Sequence, residues 1–200
     1  MCLKFIADGV RQFGVEKAKR VLEDGLELRE HRIVGFGLGG DERAVAAAEF
    51  AELYSRAKEL GLGTSLHAGE GTSAREVEGA MNLGVDRIGH GIAAIQDEAV
   101  ISRLVSARTV LEVCPGSNLR SGAWIPKKGP HPIHRLREAG VRIVLGSDDP
   151  AFFETSLREE FSRCADEGMS DEHLRAINAE AVEAAFLPEE AKEALRERLC

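Results

Sequence analysis

The feature that most constrains the fold is a regular alternation of short apolar runs with amphipathic stretches. Six runs are almost continuously apolar, which is typical of parallel strands buried on both faces; they are residues 3–7, 33–38, 64–67, 87–89, 110–114 and 142–146. Stretches with helical periodicity lie between most of them, at residues 16–29, 41–60, 74–83, 98–106 and 132–139. This alternation predicts an α/β fold built from six βα units.

The number of units separates two architectures in part. Six units fit either an open doubly wound sheet or a (β/α)8 barrel of the TIM type, and a barrel of eight such units needs on the order of 220 residues. The chain has 200 residues, and a helical tail follows from Phe152 onward. If the fold is a barrel, about two units are therefore absent. We treat residues 1–200 as a single domain, which is an ordinary domain length.

Composition excludes several classes of function. The chain has 26 Lys and Arg against 34 Asp and Glu, a formal net charge of −8. An acidic chain is a poor partner for nucleic acid or for an anionic membrane surface. Neither a membrane-spanning apolar run nor a signal peptide is visible, and the four cysteines form no C-x-x-C pair. We therefore expect a cytoplasmic protein that binds neither membrane nor nucleic acid.

Polar residues gather where the apolar runs end. In parallel α/β folds the carboxyl ends of the strands are where active sites are built. Five consecutive run ends carry such groups, which is a stronger signal than any one of them. The groups are Gly40, Asp41 and Glu42; His67, Gly69 and Glu70; His90 between two glycines; Ser117 and Asn118; and Ser147, Asp148 and Asp149.

Each group also has a structural interpretation. His67 alone could be a core histidine, but with Glu70 nearby it fits a metal ligand beside an acid/base. The two glycines that flank His90 favour a functional role. A turn or helix cap needs only one of Asp148 and Asp149, which leaves the other for a metal or a nucleophile.

The remaining candidates are weaker. Near Gly40 the spacing is not that of a phosphate loop, but a glycine amide there could face a substrate. His131 and His134 are interpreted as surface or helix-capping residues, and Cys114 as a small core residue. His31 and His173 are expected to be solvated, and Trp124 either covers a pocket or packs.

These motifs resemble the adenosine deaminase family of the amidohydrolase superfamily. Each motif alone is weak, but their joint order along the chain is specific, and the resemblance covers about residues 33–188. The motifs are VGFGLGGDE at 34–42, HAGE at 67–70, RIGHG at 87–91, CPGSN at 114–118, SDDP at 147–150 and AFLP at 185–188.

The resemblance implies a zinc-dependent hydrolytic deaminase on a (β/α)8 barrel. Its substrate would be adenosine or a related 6-aminopurine nucleoside, converted to the 6-oxo product and ammonia. By the same resemblance, His67 and Asp148 are zinc ligands and Glu70 gives a proton to purine N1. His90 orients the attacking water and stabilises the developing oxyanion, whereas Asp149 contacts purine N7 and Gly40 contacts N3.

Two features depart from the family. The H-x-H pair that supplies two zinc ligands is absent, since the six histidines stand at 31, 67, 90, 131, 134 and 173. The chain thus looks like strands 3 to 8 of the barrel, with one zinc per site and two of its ligands missing. Its open edges predict self-association or completion by another chain. Gly37 stands where the family usually has Asp, so a modified adenine nucleoside such as aminodeoxyfutalosine is an alternative substrate.

Two other functions stay open. The chain could be a truncated or degenerate paralogue that binds or assembles without catalysis, and the missing H-x-H pair favours this. The intact His67, Glu70, His90, Asp148 and Asp149 argue against it. It could also be an adenine or AMP deaminase; a nucleotide substrate would need basic groups at the mouth, and Lys127 with Lys128 are the only cluster visible in the sequence.

Overall fold

Six parallel strands form one sheet in the order of the chain. The computed structural model describes residues 3–28 and 32–199. The strands are β1 (Phe5–Val10), β2 (Ile33–Gly39), β3 (Gly63–Ala68), β4 (Arg87–His90), β5 (Val110–Val113) and β6 (Arg142–Leu145). Each strand pairs with the next one along the chain, and β1 and β6 lie at the two ends of the sheet. The predicted α/β class and its six βα units are confirmed, and the sheet is open, as in an incomplete barrel.

Helices follow the strands and then form the predicted C-terminal helical tail. The helices are α1 (Val15–Glu27), α2 (Ala51–Glu59), α3 (Ala74–Asn82), α4 (Glu98–Ala107), α5 (Pro115–Ser121), α6 (Pro132–Glu138), α7 (Leu157–Asp166), α8 (Asp171–Ala184) and α9 (Glu189–Arg196). Within the described ranges, none of these helices combines the length and apolarity needed to cross a membrane.

A row of apolar side chains runs across five neighbouring strands. Strand register places these residues side by side, each at most 1% exposed, and the row is Leu38, Leu66, Ile88, Leu111 and Ile143. They share a core cluster with helix residues such as Leu53 and Leu104. Because side chains alternate along a strand, the neighbouring residues point to the other face of the sheet.

That other face is polar. Ser65 Oγ donates to Glu112 Oε2 at 2.5 Å, and Arg87 Nε lies 2.9 Å from Glu112 Oε1. His67 and Gly89 belong to the same face and lie nearer the carboxyl edge. The apolar face of the sheet therefore packs against the helices, and the polar face presents the hydrogen-bonding groups.

The structure shifts two predicted boundaries. Strand β1 lies at Phe5–Val10 and not at residues 3–7, which brings Asp8 into register with Gly37. The predicted helix 41–60 begins only at Ala51, after a turn and a short 3-10 helix, Ala47–Phe50. Residues 41–46 stay irregular because polar groups there bond elsewhere: Asp41 accepts from the Arg43 amide, and Glu42 bonds residues beyond β3.

Helix α5 was not predicted. It begins directly after Cys114, with Pro115 in its first turn and Gly122 at φ 78° at its end. Proline is preorganised for the first turn of a helix, and glycine adopts the left-handed conformation that ends one. These two residues mark the helix, although the motif was interpreted only as the end of a strand. The expectation for His31 lies outside the described residues, as do Cys2 and Cys200.

Candidate active site

His67 is the penultimate residue of strand β3, near the carboxyl edge of the sheet. Its Nδ1 lies 3.2 Å from the Leu38 carbonyl oxygen on the neighbouring strand. Because a carbonyl only accepts, Nδ1 carries the proton and Nε2 is left with its lone pair for another partner. A histidine held in this way by a backbone carbonyl is the usual arrangement of a metal-binding histidine.

Glu70 is positioned through its backbone and its side chain. The Glu42 carboxylate accepts from the amides of Gly69 at 2.6 Å and Glu70 at 2.9 Å, and it also bonds the Thr72 hydroxyl. Ser121 Oγ donates to Glu70 Oε1 at 3.0 Å. The Glu70 side chain is 27% exposed, so it stands at the boundary between the protein and the open site.

His90 faces His67 because its backbone leaves the strand pattern. Strand alternation would place His90 on the same face as Ile88, but its φ of 59° is left-handed and turns the side chain toward the polar face. The ring centroids of His67 and His90 are 5.1 Å apart. His90 Nε2 lies 3.6 Å from Glu70 Oε2 and 3.8 Å from Asp148 Oδ2. Burial lowers the pKa of His90, although the Glu70 carboxylate acts in the opposite direction.

The two consecutive aspartates, Asp148 and Asp149, have different hydrogen-bond partners. Asp148 also has a left-handed backbone, with φ 55°, and Ser117 Oγ donates to its Oδ2 at 2.6 Å. Asp149 Oδ1 accepts from the Phe152 amide at 3.1 Å, so it closes the turn that follows. Strained backbone at both His90 and Asp148 is characteristic of functional sites.

Gly40 lies at the end of β2 with φ 87°. The Gln12 side chain packs where a Cβ on Gly40 would stand, and its Oε1 accepts from the Asp41 amide at 2.9 Å. Only glycine fits both this backbone conformation and this close approach. The predicted contact between the Gly40 amide and a substrate stays a prediction.

The structure suggests one metal-binding cluster that the sequence did not. Among the described residues, one donor atom each of His90, Cys114 and Asp148 lies within 4.8 Å of the others. Burial raises the pKa of the Cys114 thiol well above its ordinary value, and the negative charge of Asp148 adds to this effect. Because thiolate is the form that binds zinc, we favour the predicted ligands His67 and Asp148. Cys114 is 6% exposed and packs as the predicted small core residue.

Comparison with known proteins identifies the family. The family model described as adenosine deaminase matches residues 2–200. The chain belongs to the adenosine deaminase family. The predicted resemblance is thereby confirmed.

Relatives within the adenosine deaminase family cover almost all of this chain. An adenine deaminase of Rhizobium leguminosarum is 42% identical over 198 residues, which are 98% of this chain and 61% of the relative. The crystal structure of an adenine deaminase from Arthrobacter aurescens superposes with a TM-score of 0.89 at 32% identity, over 98% of this chain and 60% of that one. The chain therefore spans about three fifths of the length of these relatives.

A third relative is named for a different substrate. The crystal structure of the Arabidopsis N6-mAMP deaminase superposes with a TM-score of 0.87 at 26% identity. It covers 98% of this chain and 58% of that one. The same fold therefore occurs in relatives named for a free base and in one named for a nucleotide.

Sequence reasoning missed Arg11, and it placed Glu42 at a run end without predicting its supporting role. Arg11 is fully buried, and its guanidinium donates to the Val45 and His67 carbonyls and to Glu76. Glu42 is 7% exposed and holds the backbone on both sides of Gly69. The signal for both is a charged residue within three positions of a strand end, β1 for Arg11 and β2 for Glu42.

Asp8 supplies a carboxylate beside Gly37. A Cβ on Gly37 would meet Asp8 Oδ1, so the Asp8 side chain occupies the space beside Gly37. Burial raises the pKa of Asp8, and nearby His67 opposes that shift. Glycine at position 37 therefore leaves room for the Asp8 carboxylate on the neighbouring strand.

His131 is buried rather than on the surface. It is 1% exposed, and its Nδ1 accepts from the Ile133 amide at the start of α6, as the capping interpretation predicts. Its ring stacks edge-on against Trp124, with centroids 4.9 Å apart. Burial, followed by the charges of His134, Arg163 and His90, lowers the pKa of His131 to about 3.

The pKa of His131 predicts acid sensitivity. An unfolded histidine titrates near 6.5, so between that pH and about 3 the unfolded state binds more protons and stability falls as pH falls. We expect His131 alone to cost about 1 kcal/mol between pH 6.5 and 5.5. Urea unfolding at both pH values should show a smaller loss in His131→Asn than in the parent, with exposed His173→Asn as the control. Equal losses in all three proteins would contradict this assignment.

Gly89 makes room for the His67 ring. A Cβ on Gly89 would lie 2.9 Å from His67 Cγ and 3.2 Å from His67 Cα. We expect Gly89→Ala to displace the ring and to weaken zinc binding about 10–100-fold. Competition with a chelating dye measures this affinity in the chain combined with a polypeptide that supplies the missing H-x-H pair. The control is Gly79→Ala in α3, whose Cβ would lie 3.5 Å from Ala47 Cβ. Unchanged zinc affinity in Gly89→Ala would separate His67 from metal binding.

A large concavity lies at the opposite end of the strands. It measures about 1210 Å³ and is lined by Arg87, Arg108 and Phe186, near the amino ends of β4 to β6. The convergent histidines and carboxylates lie at the carboxyl ends. We therefore assign the site by its chemistry and not by the size of the concavity.

Proposed function

We propose that this chain provides most of the active site of a hydrolytic deaminase that acts on a 6-aminopurine, with adenine as its substrate. The observation that carries the proposal is the convergence of Glu70, His90 and Asp148. Nε2 of His90 lies between the two carboxylates at 3.6 and 3.8 Å. This arrangement joins a proton donor, a polarising imidazole and a metal-binding carboxylate in one place.

The names of the more similar relatives favour adenine over adenosine as the substrate. The Rhizobium leguminosarum and Arthrobacter aurescens proteins are both named adenine deaminases, at 42% and 32% identity. The relative named for a nucleotide is 26% identical. The family supports deamination of an aminopurine, and the higher identities favour the free base.

Zinc fits the residues present. His67 offers a free Nε2 and Asp148 offers a carboxylate oxygen, and both are donor types that zinc binds. A bound zinc ion supplies the Lewis acidity that makes water nucleophilic at neutral pH. These two residues would hold it together with two ligands that this chain does not contain, since no H-x-H pair occurs in the sequence.

The chain's own residues would perform the proton transfers. Glu70 would donate a proton to purine N1, which makes C6 more electrophilic as water adds to it. His90 would donate a hydrogen bond from Nε2 to the oxygen that becomes negative at C6. One proton of the added water passes to the amino group, the C6–N bond breaks and ammonia leaves. The other proton restores Glu70, so the 6-oxopurine keeps the proton on N1. The Gly40 amide and the Asp149 carboxylate would orient the purine at N3 and N7.

Completion of the barrel is part of this proposal. Strands β1 and β6 each have one edge without a paired strand in the described sheet. Such edges pair readily with other chains. We propose that a polypeptide with two further βα units and the H-x-H pair binds between them, and that the chain self-associates without it.

The test is complementation. The chain is co-expressed with the segment of the Rhizobium leguminosarum relative that it does not match, and ammonia release from adenine and from adenosine is measured. We expect turnover only in the complex, with a kcat/KM for adenine at least about tenfold higher than that for adenosine. Sedimentation of the chain alone should show self-association that the segment reverses.

Three outcomes would count against parts of this proposal. A zinc-loaded complex without turnover would favour the non-catalytic alternative. Preferred deamination of adenosine would overturn the assignment of adenine. A monomeric, active chain without the segment would refute the need for completion.

A further inference from the structure

A buried chain of hydrogen bonds leads from helix α6 to the back of His90. The Ile133 amide lies 3.1 Å from His131 Nδ1, and His131 Nε2 lies 3.3 Å from Asn118 Oδ1. Asn118 Nδ2 lies 3.1 Å from His90 Nδ1. Three side chains thus connect a helix start to the imidazole that faces the site.

The Ile133 backbone N–H can only donate, and this sets the direction of each of these hydrogen bonds. A backbone N–H only donates, so His131 Nδ1 accepts and its Nε2 carries the proton. That Nε2–H donates to Asn118 Oδ1, so the amide nitrogen Nδ2 lies on the other side of the Asn118 amide, 3.1 Å from His90 Nδ1 and 3.5 Å from Glu70 Oε1. The Asn118 amide nitrogen therefore faces both Glu70 and His90, and its oxygen faces His131.

Burial protects these hydrogen bonds from competition by solvent. His131 is 1% exposed, Asn118 is fully buried and His90 is 2% exposed. The low pKa of His131, about 3, keeps its ring neutral with a single N–H at neutral pH. Wrongly paired donors in such a place are costly, because water cannot replace the missing partner.

We propose that His131 is a positioning residue that acts through Asn118 to hold His90 as its Nε2–H tautomer. The Asn118 N–H needs a lone pair on His90 Nδ1, so the ring proton of His90 lies on Nε2. That nitrogen faces Glu70 and Asp148. The other tautomer would set an N–H against an N–H at Asn118 and a lone pair against two carboxylates.

The catalytic consequence of this inference rests on the proposed function. If the site deaminates a purine, the Nε2–H of His90 is the donor that meets the developing oxyanion. A histidine in the wrong tautomer loses this donor even when its ring does not move. The tautomer itself is a property of this chain and needs no substrate.

Two substitutions of His131 separate positioning from helix capping. His131→Asn keeps an amide oxygen near the position of Nδ1, so it still caps α6, but it has no donor that reaches Asn118. His131→Gln brings an amide N–H near the position of Nε2 and leaves the Ile133 amide uncapped. A residue that only caps the helix would tolerate Asn better than Gln.

The primary measurement is the tautomer of His90, from long-range 1H–15N correlation spectra of the 15N-labelled chain. His90 signals are assigned by their loss in His90→Gln. We expect Nε2–H in the parent and in His131→Gln, and a mixture of tautomers in His131→Asn. Nδ1–H in the parent would overturn the proposal, whatever the variants do. An unchanged His90 signal in folded His131→Asn would also overturn it.

Kinetics of the completed enzyme give a second readout. We expect His131→Asn to lower kcat about 10–100-fold with KM within about twofold, and His131→Gln to recover most of the loss. Equal loss in both variants, in step with a fall in Tm, would indicate a structural role only. A parent complex without activity would count against the proposed function and leave the tautomer result standing.

Discussion

Substitution of Glu70 by glutamine in the completed enzyme is expected to lower kcat for adenine deamination about 10²–10⁴-fold. Glutamine has nearly the same shape and still accepts from Ser121, whose Oγ lies 3.0 Å from Glu70 Oε1. It cannot carry a transferable proton, so only the proton-transfer role is removed. Ammonia release at saturating adenine measures kcat, and elemental analysis measures zinc in the same samples.

A matched control separates this effect from a general charge change. Glu59, at the end of α2, is 66% exposed and forms an ion pair with Arg56. Glu59→Gln is therefore expected to leave kcat unchanged within about twofold, since exposed pairs contribute little. A Glu70→Gln enzyme that keeps more than about a tenth of the parent kcat would remove Glu70 from the role of proton donor.

Substitution of Arg11 by methionine is expected to lower the free energy of unfolding by about 3–5 kcal/mol. The Arg11 side chain is fully buried, and its guanidinium joins Val45, His67 and Glu76. Methionine fills much of the same volume but leaves two partly buried carbonyls, those of Val45 and His67, without their donor. The Glu76 carboxylate, 27% exposed, loses its partner at the same time.

Urea unfolding followed by circular dichroism measures this change. The control is Arg56→Met, whose side chain is 60% exposed and whose effect should stay below about 1 kcal/mol. If Arg11→Met lost no more stability than Arg56→Met, Arg11 would not be the residue that ties β1, β3 and α3 together. Co-expression with the complementary segment shows whether the lost stability also prevents assembly.

Much of the fold follows from local patterns. Apolar runs predicted the positions of all six strands, because strands of a parallel sheet are rich in apolar residues. The structure shows that only one face of the sheet is apolar, since Ser65 and Glu112 bond each other on the other face. The polar residues at the run ends predicted where the site lies, since parallel strands bring their carboxyl ends to one edge. This reasoning singled out His67, Glu70, His90 and Asp148, and the structure places His90 beside each of the other three.

The misplaced boundaries have non-local causes. Residues 41–46 have helical composition, but Glu42 bonds the backbone beyond β3 and draws the segment away from helix. β1 extends to Val10 because it pairs with β2 through Gly39. Contacts between residues about 30 positions apart are invisible to a pattern read along a single segment.

The sequence by itself determined which residues could be ligands, acids and strand formers, because residue type and spacing along one segment carry that information. Only the tertiary structure decided how they meet. The left-handed backbone of His90 turns it out of the strand pattern, and Asp8 on β1 fills the space beside Gly37 on β2. His131 reaches His90 through Asn118 only because α5 and α6 pack behind the site. The direction of a side chain and its hydrogen-bond partner depend on segments far apart in the chain, and these come together only when the sheet forms.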